Sequence, residues 1–437
     1  MAVWIDEGRP GIEGLPMLKQ AHPKPKLTEI NRNPNCLKGS QCSAFGICPT
    51  RLSTKLPAFY TIALPVQNRS SLLILQTSQR AAMATTRAPF LFFLLISFSL
   101  SGSSFATPRK TAAIYELKKG DLSLKVTNWG ATILSLILPD SKGNLADVAL
   151  GYEGIGPYIK GTANFGALVG RVGNRIAGAR FVLNGTAYRL YPNDGKNSIH
   201  GGHRGFSRVF WTVKEKIDGE IPYITFYYHS FDGEQGFPGD LDVSVTYRLS
   251  APYELSVIMR ATPRTKATPV NLIQHNYWNL AGHNSGSILS NTVQIFASHI
   301  TPVDDELIPT GSISSVAGTP FDFLEPKTVG SRIDMVKGGY DINYVVNGHG
   351  MKKVAVVKDD GSGRRLELWS NQPGVQFYTG NFLNHVEGKG GAVYEIHDGL
   401  CLETQGFPDS VNHPQFPSQI VNPGEVYKHD MVIKFSF

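Results

Sequence analysis

Five stretches hold residue types able to do chemistry. In NLIQHNYWNL, residues 271–280, alternation puts Ile273, His275 and Tyr277 on one face of a strand and Leu272, Gln274, Asn276 and Trp278 on the other. Each face mixes apolar bodies with polar tips, which a plain core strand does not need. His275 is open to three roles: a satisfied structural histidine, a metal ligand, or a proton carrier in a site for something polar and ring-shaped. Asn271, Tyr277 and Asn279 are the neighbours placed to orient its imidazole.

In GLCLETQGFPDSVN, residues 399–412, Cys401, Glu403 and Gln405 share one face and Leu400, Leu402 and Thr404 the other. A carboxylate centred in so apolar a strand has its pKa raised by desolvation unless donors offset this, which is how a general base is poised near neutral pH. A structural Glu–Arg pair accounts for the same residue equally well. GRVGNRI, residues 170–176, boxes Arg175 among glycines and apolar residues, so its guanidinium must meet a carboxylate or a polar ligand. NSIHGGHRGF follows at 197–206, where Gly201-Gly202 after His200 lets backbone approach a ligand closely. The H-x-x-H spacing of His200 and His203 makes a zinc site only with a further ligand from elsewhere, and no metal is expected. Asp341 in GGYDINYVV, residues 338–346, is either a turn cap or an acceptor for ligand hydroxyls.

The elements that must position these groups are strands. From Ala113 to Phe437 no long run of helical periodicity occurs, and β-rich runs such as YITFYYHSF, LDVSVTYRLS, YELSVIMRA and GVQFYTGN recur. Asn184-Gly185, Asp218-Gly219, Asp232-Gly233 and Asp360-Gly361 punctuate them. The pattern predicts an all-β chain forming one large antiparallel β-sandwich, with no linker and no fixed repeat. Asn184-Gly185-Thr186 reads both as a hairpin turn and as a glycan acceptor, the second conditional on secretion. The G-x-S-x-G elbow, the Walker loop, G-x-G-x-x-G and H-E-x-x-H are all missing.

The chain of 437 residues carries a formal charge of +7, unevenly spread. Residues 1–82 hold ten Lys/Arg against four Asp/Glu, Arg87 is the only charge in 83–106, and 107–437 hold 31 of each sign. A nucleic-acid partner is therefore not expected, since its basic face should lie on the body. Cys36, Cys42 and Cys48 lie in the leader, which leaves Cys401 without a partner for an intramolecular bridge. MATTRAPFLFFLLISFSLSGSSFATPRK, residues 83–110, has a basic start at Arg87, an apolar stretch Phe90–Leu100 and a small-x-small site at Ser104-Phe105-Ala106. The expected organisation is a non-native or disordered extension over 1–82, a signal-like segment over 83–106, and one domain over 107–437. Translation from Met83 implies a secreted or endomembrane protein, free of the membrane once cleaved; a cytoplasmic location is the alternative. A monomer is expected.

Taken in order, VTNWGATILSLILPD, GRVGNRIAGARFVLNG, YPNDGKNSIHGG, HNYWNLAGH, FDFLEP, QPGVQFYTGN and LETQGFPDSVN resemble the aldose 1-epimerase (galactose mutarotase) family along essentially the whole body. The resemblance implies a large antiparallel β-sandwich and interconversion of the α and β anomers of free hexoses such as glucose and galactose, with no cofactor. It implies His275 as general acid and Glu403 as general base, with Asn174, Arg175, His200, Asp341 and Gln376 holding the monosaccharide. Trp278 could stack on the sugar's C–H face, or be simply core. The chain departs from the family pattern at Gly173, often alanine, at Ile342, commonly histidine, and at Trp278, usually phenylalanine. A hexose-phosphate 1-epimerase and a non-catalytic sugar-binding module on the same fold are the alternatives.

Overall fold

The computed structural model describes residues 111–161 and 163–437, so the expectations for 1–82, 83–106 and the leader cysteines lie outside the described residues. Strands form where apolar residues alternate. In Leu241–Ala251, LDVSVTYRLSA, each second residue from Leu241 to Leu249 is buried. Among the described residues the only α-helix is the single turn Gly156–Lys160, and no helix is long and apolar enough to cross a membrane.

The same residues form antiparallel sheets of nine, five and four strands and five two-stranded pairs. The nine-stranded sheet runs Thr212–Ile217, Tyr223–Ser230, Leu241–Ala251, Glu254–Pro263, Tyr427–Ser436, Arg365–Ser370, Lys352–Lys358, Thr292–Ile295 and Lys327–Thr328. Its first four strands follow one another in sequence. Tyr427–Ser436 then enters at the centre. The five-stranded sheet runs Ser314–Ser315, Ala297–Thr301, Asp341–Val346, Gly374–Tyr378 and Cys401–Gln405. One continuous apolar core joins Val243, Val257 and Met431 of the larger sheet to Tyr344, Phe377 and Leu402 of the smaller, and to Leu124 and Leu136 of the four-stranded sheet. Each such side chain contributes about 1.5–3 kcal/mol by leaving water.

Register sets what the smaller sheet shows on its other face. Ile342 pairs with Phe377 and Phe377 with Leu402, and all three enter the core. Asn343, Gln376 and Glu403, each one residue along, therefore stand side by side on the opposite face. Asn184 and Gly185, at φ 50° and 77°, turn Arg180–Leu183 into Thr186–Arg189 as the hairpin predicted from sequence.

Candidate active site

The seven residues expected to act or bind line one cavity of ≈ 380 Å³. His275 ends the strand Ile273–His275, which pairs with Ala167–Val169, and its carbonyl accepts from the Gly166 N–H at 2.8 Å. Gly166 has φ 62°, and a Cβ there would fall 1.9 Å from the Ile133 carbonyl oxygen, so only glycine fits. Glu403 stands at the middle of Cys401–Gln405, and its Oε1 lies 3.4 Å from His275 Nε2 with both side chains buried. Its Oε2 is buried with no hydrogen-bond partner among the described residues.

Burial governs the charge of this pair. It pushes Glu403 well above the usual carboxylate range, with the Asp341 carboxylate adding to the rise and Arg175 opposing it. It pushes His275 down to about 4. Both effects favour the neutral forms, so a proton shared by the pair rests on the carboxyl side. The Tyr277 ring lies nearly parallel to the imidazole, centroids 5.2 Å apart, and Cys401 Sγ is 3.8 Å from Nδ1. Asn271 and Asn279 do not orient His275 as expected. Their amides instead bond the backbone of Gly173 and Gly406, and of Gly286 and Asp398.

His429, from the central strand, fixes the two strands that carry the pair. Its Nδ1–H donates to the Leu272 carbonyl at 3.1 Å, and its Nε2 accepts from Thr404 Oγ1 at 2.7 Å.

Asn174 and His200, both at positive φ (60° and 51°), are joined by a reciprocal contact. The His200 N–H donates to the Asn174 carbonyl at 3.1 Å, and the Asn174 N–H donates to His200 Nδ1 at 3.3 Å. Nδ1 is thereby an acceptor, which leaves the proton on Nε2 as a donor. Burial, His275 and Arg175 together push His200 well below the usual histidine value, so it donates as a neutral ring. Gly201 is required here, because a Cβ would fall 1.9 Å from the Gly170 carbonyl oxygen. A Cβ on Gly173 would meet Ile273 Cδ1 at 2.4 Å, so the alanine often found here in the family needs that side chain to shift.

Arg175 meets two carboxylates: its Nε lies 2.7 Å from Asp194 Oδ2 and its Nη1 3.9 Å from Asp341 Oδ2. Asp341 also accepts from Gln376 Nε2 at 2.6 Å, and burial raises its pKa while Arg175 and Gln376 lower it. Gln405 Nε2 in turn donates to Gln376 Oε1 at 3.2 Å and to Asn343 Oδ1 at 3.0 Å. This ladder of amides fixes which end of Gln376 faces Asp341.

The geometry decides two readings that the sequence left open. The structural Glu–Arg pair is not what forms: Glu403 pairs with His275, and Arg175 with the two aspartates. His203 is exposed and lies against the Pro192 carbonyl, so it does not converge with His200. A different trio, His275, Cys401 and Glu403, brings potential ligand atoms within 4.8 Å of one another. The imidazole turns Nδ1 to the sulfur and Nε2 to the carboxylate, so its two nitrogens face different members of the trio.

Residues 113–434 match the family model described as aldose 1-epimerase. The chain belongs to that family. It is 46% identical to mouse galactose mutarotase over 329 residues, 75% of this chain and 94% of the relative. It is 38% identical to Escherichia coli aldose 1-epimerase over 309 residues, 69% of this chain and 88% of that one. Among solved structures, a GalM/aldose epimerase homologue from C. elegans matches with TM-score 0.70 and 29% identity, covering 74% of this chain and 99% of that chain. Galactose 1-epimerase from Lactobacillus acidophilus matches at 0.66 and 26%, covering 75% and 95%.

Of the two roles left open for Trp278 the structure shows the core one, and three residues of the cavity lining, Tyr378, Phe382 and Asp194, were not among the sequence candidates. Trp278 is core, packed edge-on against Phe435 and absent from the cavity lining. The aromatic wall is built instead by Tyr277, Tyr378 and Phe382; Phe382 stacks on Tyr378 at 6.0 Å and is 71% exposed. Asp194 was the other omission. Its signal was the Asn193-Asp194-Gly195 turn shortly before His200.

Proposed function

We propose that this epimerase-family isomerase interconverts the α and β anomers of free hexoses by acid–base ring opening at His275 and Glu403. The observation that carries the reading is the buried pair at 3.4 Å whose outer carboxylate oxygen has no partner among the described residues. A sugar hydroxyl donating to Oε2 favours the carboxylate form and draws the shared proton to the imidazole. Glu403 then takes the proton of the C1 hydroxyl, the C1–ring oxygen bond breaks, and the ring oxygen takes the proton of His275. C1 becomes an aldehyde, C1–C2 rotates, and the C5 hydroxyl attacks the other carbonyl face as both protons return. Asn174, Arg175, His200, Asp341 and Gln376 hold the remaining hydroxyls, Arg175 and His200 as donors and Asp341 as acceptor. Polarimetry on pure α-anomers of glucose, galactose and other aldoses tests the reading. Enzyme that leaves every panel member at its spontaneous rate sinks it.

A phosphorylated substrate is disfavoured, because among the described residues Arg175 is the only Lys or Arg lining the cavity and it already faces two carboxylates. Residues 83–106 support entry into the secretory route, and the exposed hairpin tip at Asn184 suits a glycan. N-terminal sequencing of tissue protein should begin near Thr107; peptides from 1–60 in that mature protein would contradict it.

A further inference from the structure

We propose that Asp194 makes this a site for uncharged sugars and is the residue that turns hexuronates away; the inference rests on the function proposed above. Three carboxyl side chains (Asp194, Asp341 and Glu403) line the cavity against one guanidinium. Arg175 is held between the first two, and the second oxygen of Asp341 is taken by Gln376. A neutral sugar uses both signs, accepting from the guanidinium and donating to the carboxylates. A carboxylate on the sugar meets like charges and a cation already matched. His200 supplies no countercharge, because burial keeps its ring neutral, and any proton that His275 takes comes from Glu403, so that pair gains no net positive charge.

Asp194 is the member of the group that decides the balance. Its side chain is 38% exposed, against 9% for Arg175 and 14% for Asp341, so it stands at the solvent edge of the site. Its place does not depend on its charge, since its own N–H donates to the Asn197 carbonyl at 3.1 Å and its carbonyl accepts from the Asn197 N–H at 2.9 Å. Asparagine therefore fits the same turn while freeing half of the guanidinium for an anion.

The test measures dissociation constants of galactose, galacturonate and galacturonate methyl ester by calorimetry on wild type, Asp194→Asn and Asp194→Glu. In wild type galacturonate should bind roughly tenfold or more weakly than galactose, while the neutral ester stays close to galactose. Asp194→Asn should narrow the gap about tenfold and Asp194→Glu should restore it. Added salt should shrink the wild-type gap, since Asp194 is partly solvated. Galacturonate binding wild type as tightly as galactose, an ester as weak as the acid, or an unchanged gap in folded Asp194→Asn would overturn the proposal. Magnetisation exchange between galactose anomers, read on the same wild-type samples, reports separately on the proposed function.

Discussion

Replacing Glu403 with glutamine keeps the shape of the side chain and removes its ability to take or return a proton. General acid–base catalysis is worth ~10²–10⁴-fold, so kcat should fall by that factor, about 3–5 kcal/mol of barrier. KM should move little, because the five hydroxyl-binding residues are untouched. The same substitution should stabilise the fold. The folded pKa of Glu403 is raised, so its contribution to stability is full below the unfolded value of ~4.3 and is lost as pH rises through the folded value. Glutamine mimics the protonated form and does not suffer this loss. The variant should therefore gain on wild type as pH rises above ~4.3, by about 1.4 kcal/mol per pKa unit, and in a folded body of this size each 1 kcal/mol moves Tm by about 1.5 °C. Anomer exchange by NMR at several sugar concentrations gives kcat and KM, and scanning calorimetry from pH 5 to 8 gives Tm. Near-normal kcat in folded Glu403→Gln refutes the mechanism. A fall in Tm along with kcat refutes the electrostatic account and makes Glu403 a structural residue.

His275→Asn should lower kcat by a similar ~10²–10⁴-fold, and the double variant should be scarcely worse than either single one, because the two groups act as a unit; additive losses would separate them. The pH profile of kcat/KM should be a bell whose acid limb lies near 4, where a second proton enters the pair, and whose alkaline limb lies well above the usual carboxylate range, where the last proton leaves. An acid limb at an ordinary histidine pKa of ~6.5 would contradict the burial argument. Arg175→Met leaves Asp341 buried without its counter-charge and should destabilise by about 3–5 kcal/mol besides raising KM, read by denaturant titration and saturation curves. Trp278→Ala should destabilise by about 3–5 kcal/mol with KM unchanged in the folded fraction; a selective loss of sugar affinity would restore it to the binding site.

Strand alternation was enough to foresee the sheet and the two faces of Cys401–Gln405, because a period of two follows from backbone geometry alone. It also exposed Glu403 as a carboxyl in an apolar setting. Alternation could not say which groups meet across 128 residues of chain separating His275 from Glu403. The family resemblance supplied that pairing, and supplied Asn174 and Gln376, whose local contexts are unremarkable. What stayed hidden depends on loop paths. Asp194 reaches Arg175 because the turn at 193–195 folds back over Arg175–Ile176, and no periodicity encodes that path. Trp278 stayed open between two roles because an aromatic beside a catalytic histidine suits a sugar platform as well as a core, and only its burial decides.

The placement of Tyr427–Ser436 at the centre of the nine-stranded sheet has a consequence for biosynthesis. Its neighbours Glu254–Pro263 and Arg365–Ser370 leave the ribosome earlier, each with one edge unpaired until that strand arrives. Leu272 and Thr404, which bracket the proton-carrying pair, wait for the same strand to deliver His429. A nascent chain stalled before residue 427 thus carries every acid, base and sugar-binding residue, yet has two open sheet edges and an unclamped site. Such a chain is expected to present those edges to chaperones and proteases rather than to work as a partly active enzyme. Activity should appear during translation as a single late step, and C-terminal truncations should aggregate instead of grading the activity down.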